Sequence, residues 1–338
     1  MIKQPIPIWL DCDPGNDDAF AILLSLFDPR FDLLGITTVH GNAPLHMTTH
    51  NTLGLLDLLQ TYNKVKVYSG SEVPLKTPPV YALNVHGANG LGGIEFPEKT
   101  TNQVCHDLDY LEAMKQTIDA YSGNICLVCT GALTNIAKLV DKYPEIKSKL
   151  KYVSIMGGSF GFGNITSYAE FNFHSDPHAA KIVVDKLSSK IILSPLNFTH
   201  KVIATKNIRQ SVYDFANEKR NSYVRSVFHS ILISYAAVYA QMGLLDGPPI
   251  HDPLAVYSLL PFVTGNFDEY GYVCCKKKIE VMVDSEHAGQ TVFKDDDDDD
   301  GDGAAVYIGE KLDNKKFWDS ILLSLKSADL HIKESVKV

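Results

Sequence analysis

Apolar runs of strand length alternate with segments of helical periodicity along most of this chain. That alternation constrains the fold more than any single motif does. "IPIWLD" precedes "DDAFAILLSLFD", "FDLLGITTVHGN" precedes "MTTHNTLGLLDLLQTY", and "NICLVCTG" precedes "ALTNIAKLVDKYP"; "LKYVSIMGG" ends in glycines, and the helical "DPHAAKIVVDKLS" leads into "SKIILSPLN". Strand–helix–strand order predicts parallel strands joined by right-handed crossovers. The expected fold is therefore α/β, a mostly parallel central sheet with helices on both faces and a Rossmann-like core. Residues 205–245 read as mostly helical, and beyond Tyr272 come two strands, "CCKKKIEVMVD" and "AAVYIGEKL", with a closing helix from about Asp313. No internal repeat divides the 338 residues, so one domain, 1–338, is expected.

Composition narrows the function classes. Net charge is −9 and the longest basic run is Lys276–Lys278, which argues against nucleic acid as a partner. No stretch approaches the ~18–20 uninterrupted apolar residues of a spanning helix, so no membrane partner is expected. "MIKQPIPIWLDC" enters a strand pattern at once, without a secretory h-region. Six cysteines make no disulfide framework, and Cys126 and Cys129, though spaced as C-x-x-C, sit in a strand pattern and read as small core residues. A reducing, cytoplasmic home is expected, with the nucleus also open to it. The six aspartates Asp295–Asp300 repel one another and bury nothing, so residues 294–303 read as an acidic, disordered hairpin loop.

Chemistry concentrates elsewhere. "WLDCDPGNDDAF" places Asp11, Asp13, Asp17 and Asp18 within eight residues, between two apolar runs. Ligands of a parallel α/β sheet bind beyond the carboxyl ends of its strands. Asp11 and Asp13 end the first strand there, Pro14-Gly15 turns the chain, and Asp17 and Asp18 open the first helix. Helix capping accounts for one or two of these carboxylates. Four like charges require protons or a cation, and an all-oxygen set suits a hard cation such as Ca²⁺ or Mg²⁺. An EF-hand loop counted from Asp11 fails, because Asn16 and Ile22 stand where Gly and Glu are needed. "DCD" also fits an aspartate-nucleophile phosphatase in part, but Gly15 and the extra Asp17-Asp18 depart from that pattern. Asp176-Pro177 and Asp252-Pro253 each look like an N-cap followed by proline at the first helical position.

Further motifs fall at strand ends or helix starts: "VHGN" with Asn42, "HGANGLGG" with His86, "TGALTN" after Thr130, "IMGG" at Met156, "AEFNF" at Glu170–Phe173, "PLNFTH" and "IHDP" at His251-Asp252. With "DCDPGNDDA" at their head, these motifs make the chain similar to the inosine-uridine preferring nucleoside hydrolases. The resemblance runs nearly end to end, and "PPIHDP" and "PLNFTHKVIAT" resemble the fungal, uridine-cleaving branch.

The resemblance implies Ca²⁺-dependent hydrolysis of ribonucleosides, uridine preferred, in nucleoside salvage, by a homodimer or homotetramer. It implies Ca²⁺ held by Asp13, Asp18, the Thr130 carbonyl and Asp252, with Asp13 also the general base. Asp17 and Asn172 would hold the ribose 2′-hydroxyl and Asp252 the 3′-hydroxyl. Asn164 and Glu170, near Met156, would hold the 5′-hydroxyl, and Asn42 would help orient sugar and water. His86, Phe171 and Tyr239 would line the base side, His251 would protonate the leaving base, and Asp11 would support the floor. The chemistry agrees: cleaving an N-glycosidic bond builds positive charge on ribose and negative charge on the departing base. Carboxylates stabilise the first, and a histidine titrating near neutrality serves the second. A nucleoside or calcium binder on the same scaffold is the non-enzymatic alternative.

Overall fold

The computed structural model describes residues 4–213, 215, 221–294 and 305–335. Its strands are β1 (Ile6–Cys12), β2 (Phe31–Thr38), β3 (Lys66–Ser69), β4 (Cys126–Cys129), β5 (Tyr152–Met156), β6 (Ile191–Ser194), β7 (Val273–Val281), β8 (Thr291–Phe293) and β9 (Ala305–Lys311). They form one nine-stranded sheet in the order β3-β2-β1-β4-β5-β6-β9-β7-β8. Every pairing from β3 to β9 is parallel; β7 and β8 close the edge antiparallel. The expected α/β architecture is present.

Two strands were not expected from the sequence. β3 is only "KVYS" and β8 only "TVF", too short for a period to show. The last two expected strands are β7 and β9, and the closing helix is Asn314–Ser335. The expected acidic loop falls, apart from Lys294, outside the described residues. Cys126 and Cys129 are buried and free in β4, as core residues should be.

Burial explains why the central strands read as continuous apolar runs rather than alternating ones. Parallel sheets covered on both faces hide both sets of side chains, and β1 and β4 are buried almost throughout. One core holds Leu10 and Cys12 of β1 with Phe20, Leu23 and Leu24 of the helix Asp18–Phe27 and Phe317, Ile321 and Leu325 of the C-terminal helix. The other holds Trp9, Leu127, Cys129, Ile136, Val183 and Ile308. The helix Asp18–Phe27 is apolar nearly all round because it is packed between the sheet and the C-terminal helix.

Register positions the site. Asp11 pairs with Thr37 of β2 and with Cys129 of β4, so three neighbouring strands end at one level. The chain runs outward from β1 to β3, then returns to β4 on the other side of β1. That reversal is the topological switch point at which such sheets bind ligands. The segments that emerge there are Asp13, Gly41-Asn42 and Thr130-Gly131.

Candidate active site

Asp13, Asp17, Asp18 and Asp252 are all buried, at 0%, 3%, 0% and 3% exposure. None of them is spent on capping. Asp17 occupies the cap position of the first helix without a side-chain cap bond; its Oδ2 accepts from the His251 amide at 3.2 Å. The N-cap pattern at Asp252-Pro253, set beside the metal-ligand role that the resemblance implies, is not realised. The helix Asp252–Tyr257 already includes that residue, and His251 takes the cap position. Asp252 instead turns its carboxylate to Asp17 and Asp18, and single oxygens of the three lie within 4.8 Å of one another. Asp176, by contrast, caps its helix by accepting from the Ala179 amide at 3.0 Å.

Asp13 stands beside this trio. Its Oδ2 accepts from the Asn42 amide at 2.7 Å, while its buried Oδ1 has no hydrogen-bond partner. The Asn42 side chain donates to the Asp13 carbonyl and to Asp18 Oδ2, both at 3.1 Å, fastening the end of β1 to the first helix. Asp18 also accepts from the Gly15 amide at 2.9 Å and from the Thr130 hydroxyl at 2.7 Å. Gly131 is required by close approach: a Cβ there would lie 2.6 Å from Asp13 Oδ1. Asp11 lies behind, accepting from Thr37 Oγ1 and, at 2.8 Å, from Asn135 Nδ2.

Electrostatics follow from burial and crowding. Burial first, and Asp18 next, push Asp13 well above the usual carboxylate range and Asp17 up to about 7. Asp252 is pushed well up by burial, then by Asp17 and Asp18, and Asp18 rises mainly through burial. Buried carboxylates this close either keep protons or share a cation. Ionised, they form an all-oxygen donor set with one orphaned oxygen, Asp13 Oδ1, and the residues therefore fit a hard divalent ion.

Above this floor opens a cavity of about 210 Å³. Asp17, Asn42, Thr130, Met156, Asn172 and Asp252 line it below, and His86, Phe171, Tyr239 and His251 stand among its walls. The Asn172 side chain donates to the carbonyls of Thr130 at 2.8 Å and Met156 at 3.2 Å. Glu170 lines the cavity too, but its carboxylate caps the short helix Phe171–Ser175, accepting from the amides of Asn172, Gly158 and Phe173 at 2.9, 2.9 and 3.1 Å. Asn164 Oδ1 accepts from the Phe171 amide at 2.9 Å, leaving its NH₂ group for the cavity. His86 Nδ1 accepts from the Asn16 amide at 3.0 Å, which makes it the neutral Nε2–H tautomer; burial lowers its pKa to about 3.

His251 has both ring nitrogens engaged: Nδ1 is 2.7 Å from the Thr199 hydroxyl and Nε2 3.0 Å from the Tyr239 hydroxyl. Burial, then His200 and His86, hold its pKa well below the ordinary imidazole range. Tyr235 stacks edge-on against Tyr239, centroids 4.9 Å apart. Tyr235, Thr199 and His200 were not singled out as site residues from the sequence. Tyr235 carries a signal, since it lies four residues before Tyr239 and shares its helix face. Thr199 and His200 sit inside the quoted "PLNFTH" without one.

A carboxylate floor beneath an aromatic and imidazole wall, at the switch point of a parallel sheet, suits cleavage of a glycosidic bond by water. Residues 8–319 match the inosine-uridine preferring nucleoside hydrolase family, and the chain belongs to it; it is an N-ribosyl hydrolase. The chain is 40% identical to the uridine nucleosidase of Saccharomyces cerevisiae, over 97% of this chain and 98% of that one. It is 36% identical to the pyrimidine-specific ribonucleoside hydrolase RihA of Escherichia coli, over 75% and 79% of the two chains. Among solved structures, the purine-preferring ribonucleoside hydrolase from Gardnerella vaginalis superposes with a TM-score of 0.84 at 25% identity, covering 96% of this chain and 99% of that one. The family membership sets aside the phosphatase alternative. No helix among the described residues is long and apolar enough to cross a membrane.

Proposed function

We propose that this enzyme hydrolyses ribonucleosides with uridine preferred, releasing uracil and ribose for salvage in the cytoplasm, and that its resident cation is Ca²⁺. The observation that carries the reading is the buried carboxylate set with Asp13 Oδ1 left unpartnered beneath the cavity. Asp13, Asp18, Asp252 and the Thr130 carbonyl would hold the cation, and Asp17 is close enough to Asp18 and Asp252 to steady it. When bound, such an ion supplies fixed positive charge that orients a ribose diol and lowers the pKa of an attacking water.

Asp13 would take the proton of the attacking water through Oδ1, its other oxygen being pinned by the Asn42 amide. Asp17 and Asn172 hold the 2′-hydroxyl and Asp252 the 3′-hydroxyl. Asn164, with the acceptor capacity left on Glu170 beside Met156, holds the 5′-hydroxyl. The carboxylates steady the positive charge that develops on ribose. Phe171, His86 and Tyr239 enclose the base. His251 is neutral at rest, so it serves the departing base as an N–H donor rather than an imidazolium. The Tyr239 hydroxyl, bonded to its Nε2, is the link to the cavity. A homodimer or homotetramer is the assembly that the family resemblance supports.

The test is a panel of ribo- and 2′-deoxyribonucleosides assayed for free base. Uridine is expected to be cleaved fastest, and 2′-deoxyuridine to lose about 100-fold or more, since 2-hydroxyl contacts supply several kcal/mol in glycoside cleavage. Equal rates on the two would refute the assignment of Asp17 and Asn172.

A further inference from the structure

His200 stands beside His251, their ring centroids 5.5 Å apart at 54°. It follows the short helix Leu196–Thr199, where its amide is held by the Leu196 carbonyl at 3.0 Å. Its ring lies between two others, with Phe162 5.7 Å away, and it lines the same cavity as Tyr239, Met242 and Leu244. Among the described residues no hydrogen bond reaches either of its ring nitrogens, whereas both nitrogens of His251 are taken. A neutral imidazole offers one donor and one acceptor, and this half-buried ring lines the cavity, where a bound molecule can meet them in place of water. Met242 and Leu244 have no such groups to offer. His200 is therefore a polar side chain of the cavity wall, beside His251, whose ring nitrogens no protein group takes among the described residues.

We infer that His200 is a specificity-determining residue, hydrogen-bonding the polar edge of the departing base. The inference rests on the ribonucleoside-hydrolase reading above. It deepens that reading by separating two histidines: His251 is engaged with Thr199 and Tyr239, and His200 reads the base edge directly. Uracil presents both N–H and C=O groups, and the two imidazole tautomers can meet either.

The experiment measures kcat/KM of the full chain with Ca²⁺ on uridine, cytidine and 4-nitrophenyl riboside, whose leaving group has no nucleobase edge. For His200→Ala, uridine should lose about 10-fold, the worth of one neutral hydrogen bond. The uridine-to-cytidine ratio should change, and 4-nitrophenyl riboside should stay within about twofold. His200→Gln, which keeps a donor and an acceptor, should recover part of the uridine rate. The loss should persist in the His251→Ala background, because a direct contact does not act through His251. Unchanged uridine kinetics, equal losses on all three substrates, or no further loss in the His251→Ala background would each overturn the inference. A wild-type chain that cleaves neither uridine nor 4-nitrophenyl riboside sinks the ribonucleoside reading and His200 with it; normal wild-type cleavage beside an unaffected variant sinks His200 alone.

Discussion

Chelating the divalent cation should destabilise this protein, and more so at about pH 7.5 than at about pH 5.5. The magnitude comes from the floor of the site. Asp13, Asp17, Asp18 and Asp252 are buried together, and burial, followed by Asp18, lifts Asp17 from 3.8 to about 7. A carboxyl whose folded pKa lies above its unfolded one keeps a proton that the unfolded chain releases. Its contribution is most favourable below pH ~4 and is lost as pH rises through ~7. For Asp17 alone that loss is about 4 kcal/mol, at 1.36 kcal/mol per pH unit. A cation reverses the trend, because it binds the ionised carboxylates and competes with the same protons. At a hundredfold excess over Kd it adds about 2.7 kcal/mol, which for a chain of this length is about 4 °C in Tm. Differential scanning calorimetry in chelator and in Ca²⁺ at the two pH values reads this directly. The expected shift is about 4 °C at the higher pH and less than about half of that at the lower. No shift at the higher pH, or equal shifts at both, would mean that these carboxylates do not form a cation site.

Two further predictions concern the imidazole wall. His251→Ala should lower kcat/KM for uridine by about 10²–10⁴-fold while leaving 4-nitrophenyl riboside, whose leaving group departs unassisted, near the wild-type rate; equal losses on both would remove His251 from leaving-group chemistry. Thr199→Val deletes the hydroxyl 2.7 Å from His251 Nδ1 while keeping the side-chain shape. Uridine kcat should fall about 10-fold with KM nearly unchanged, and a KM effect alone in steady-state kinetics would show that Thr199 serves binding instead.

The layered α/β fold was legible because buried parallel strands leave unbroken apolar runs, as in "IPIWLD" and "NICLVC". β3 and β8 were not, since four and three residues carry no period and their pairing is set by neighbours distant in sequence. In the site, the local clustering of Asp13, Asp17 and Asp18 was visible, and so was the need for something to balance them. What each carboxylate bonds to was not visible. Only the resemblance brought Asp252 to the cluster, and its carboxylate faces Asp17 and Asp18 there, while Glu170, expected at the 5′-hydroxyl, is largely committed to three backbone amides. Tyr235, Thr199 and His200 join the site only because the chain returns to it after long excursions. Thr199 and His200 sit at an ordinary helix end, and only the four-residue spacing of Tyr235 from Tyr239 marked a shared face.

Turnover on this proposal depends on Asp13 removing the proton of the attacking water. Its most direct test is the rate of uracil release by Asp13→Asn, measured with Tm recorded on the same sample. The variant's kcat should be lower by about 10³-fold or more, with the fold retained through the Asn42 and Asp18 contacts. Release of uracil at the wild-type rate by a folded Asp13→Asn protein would contradict the proposal.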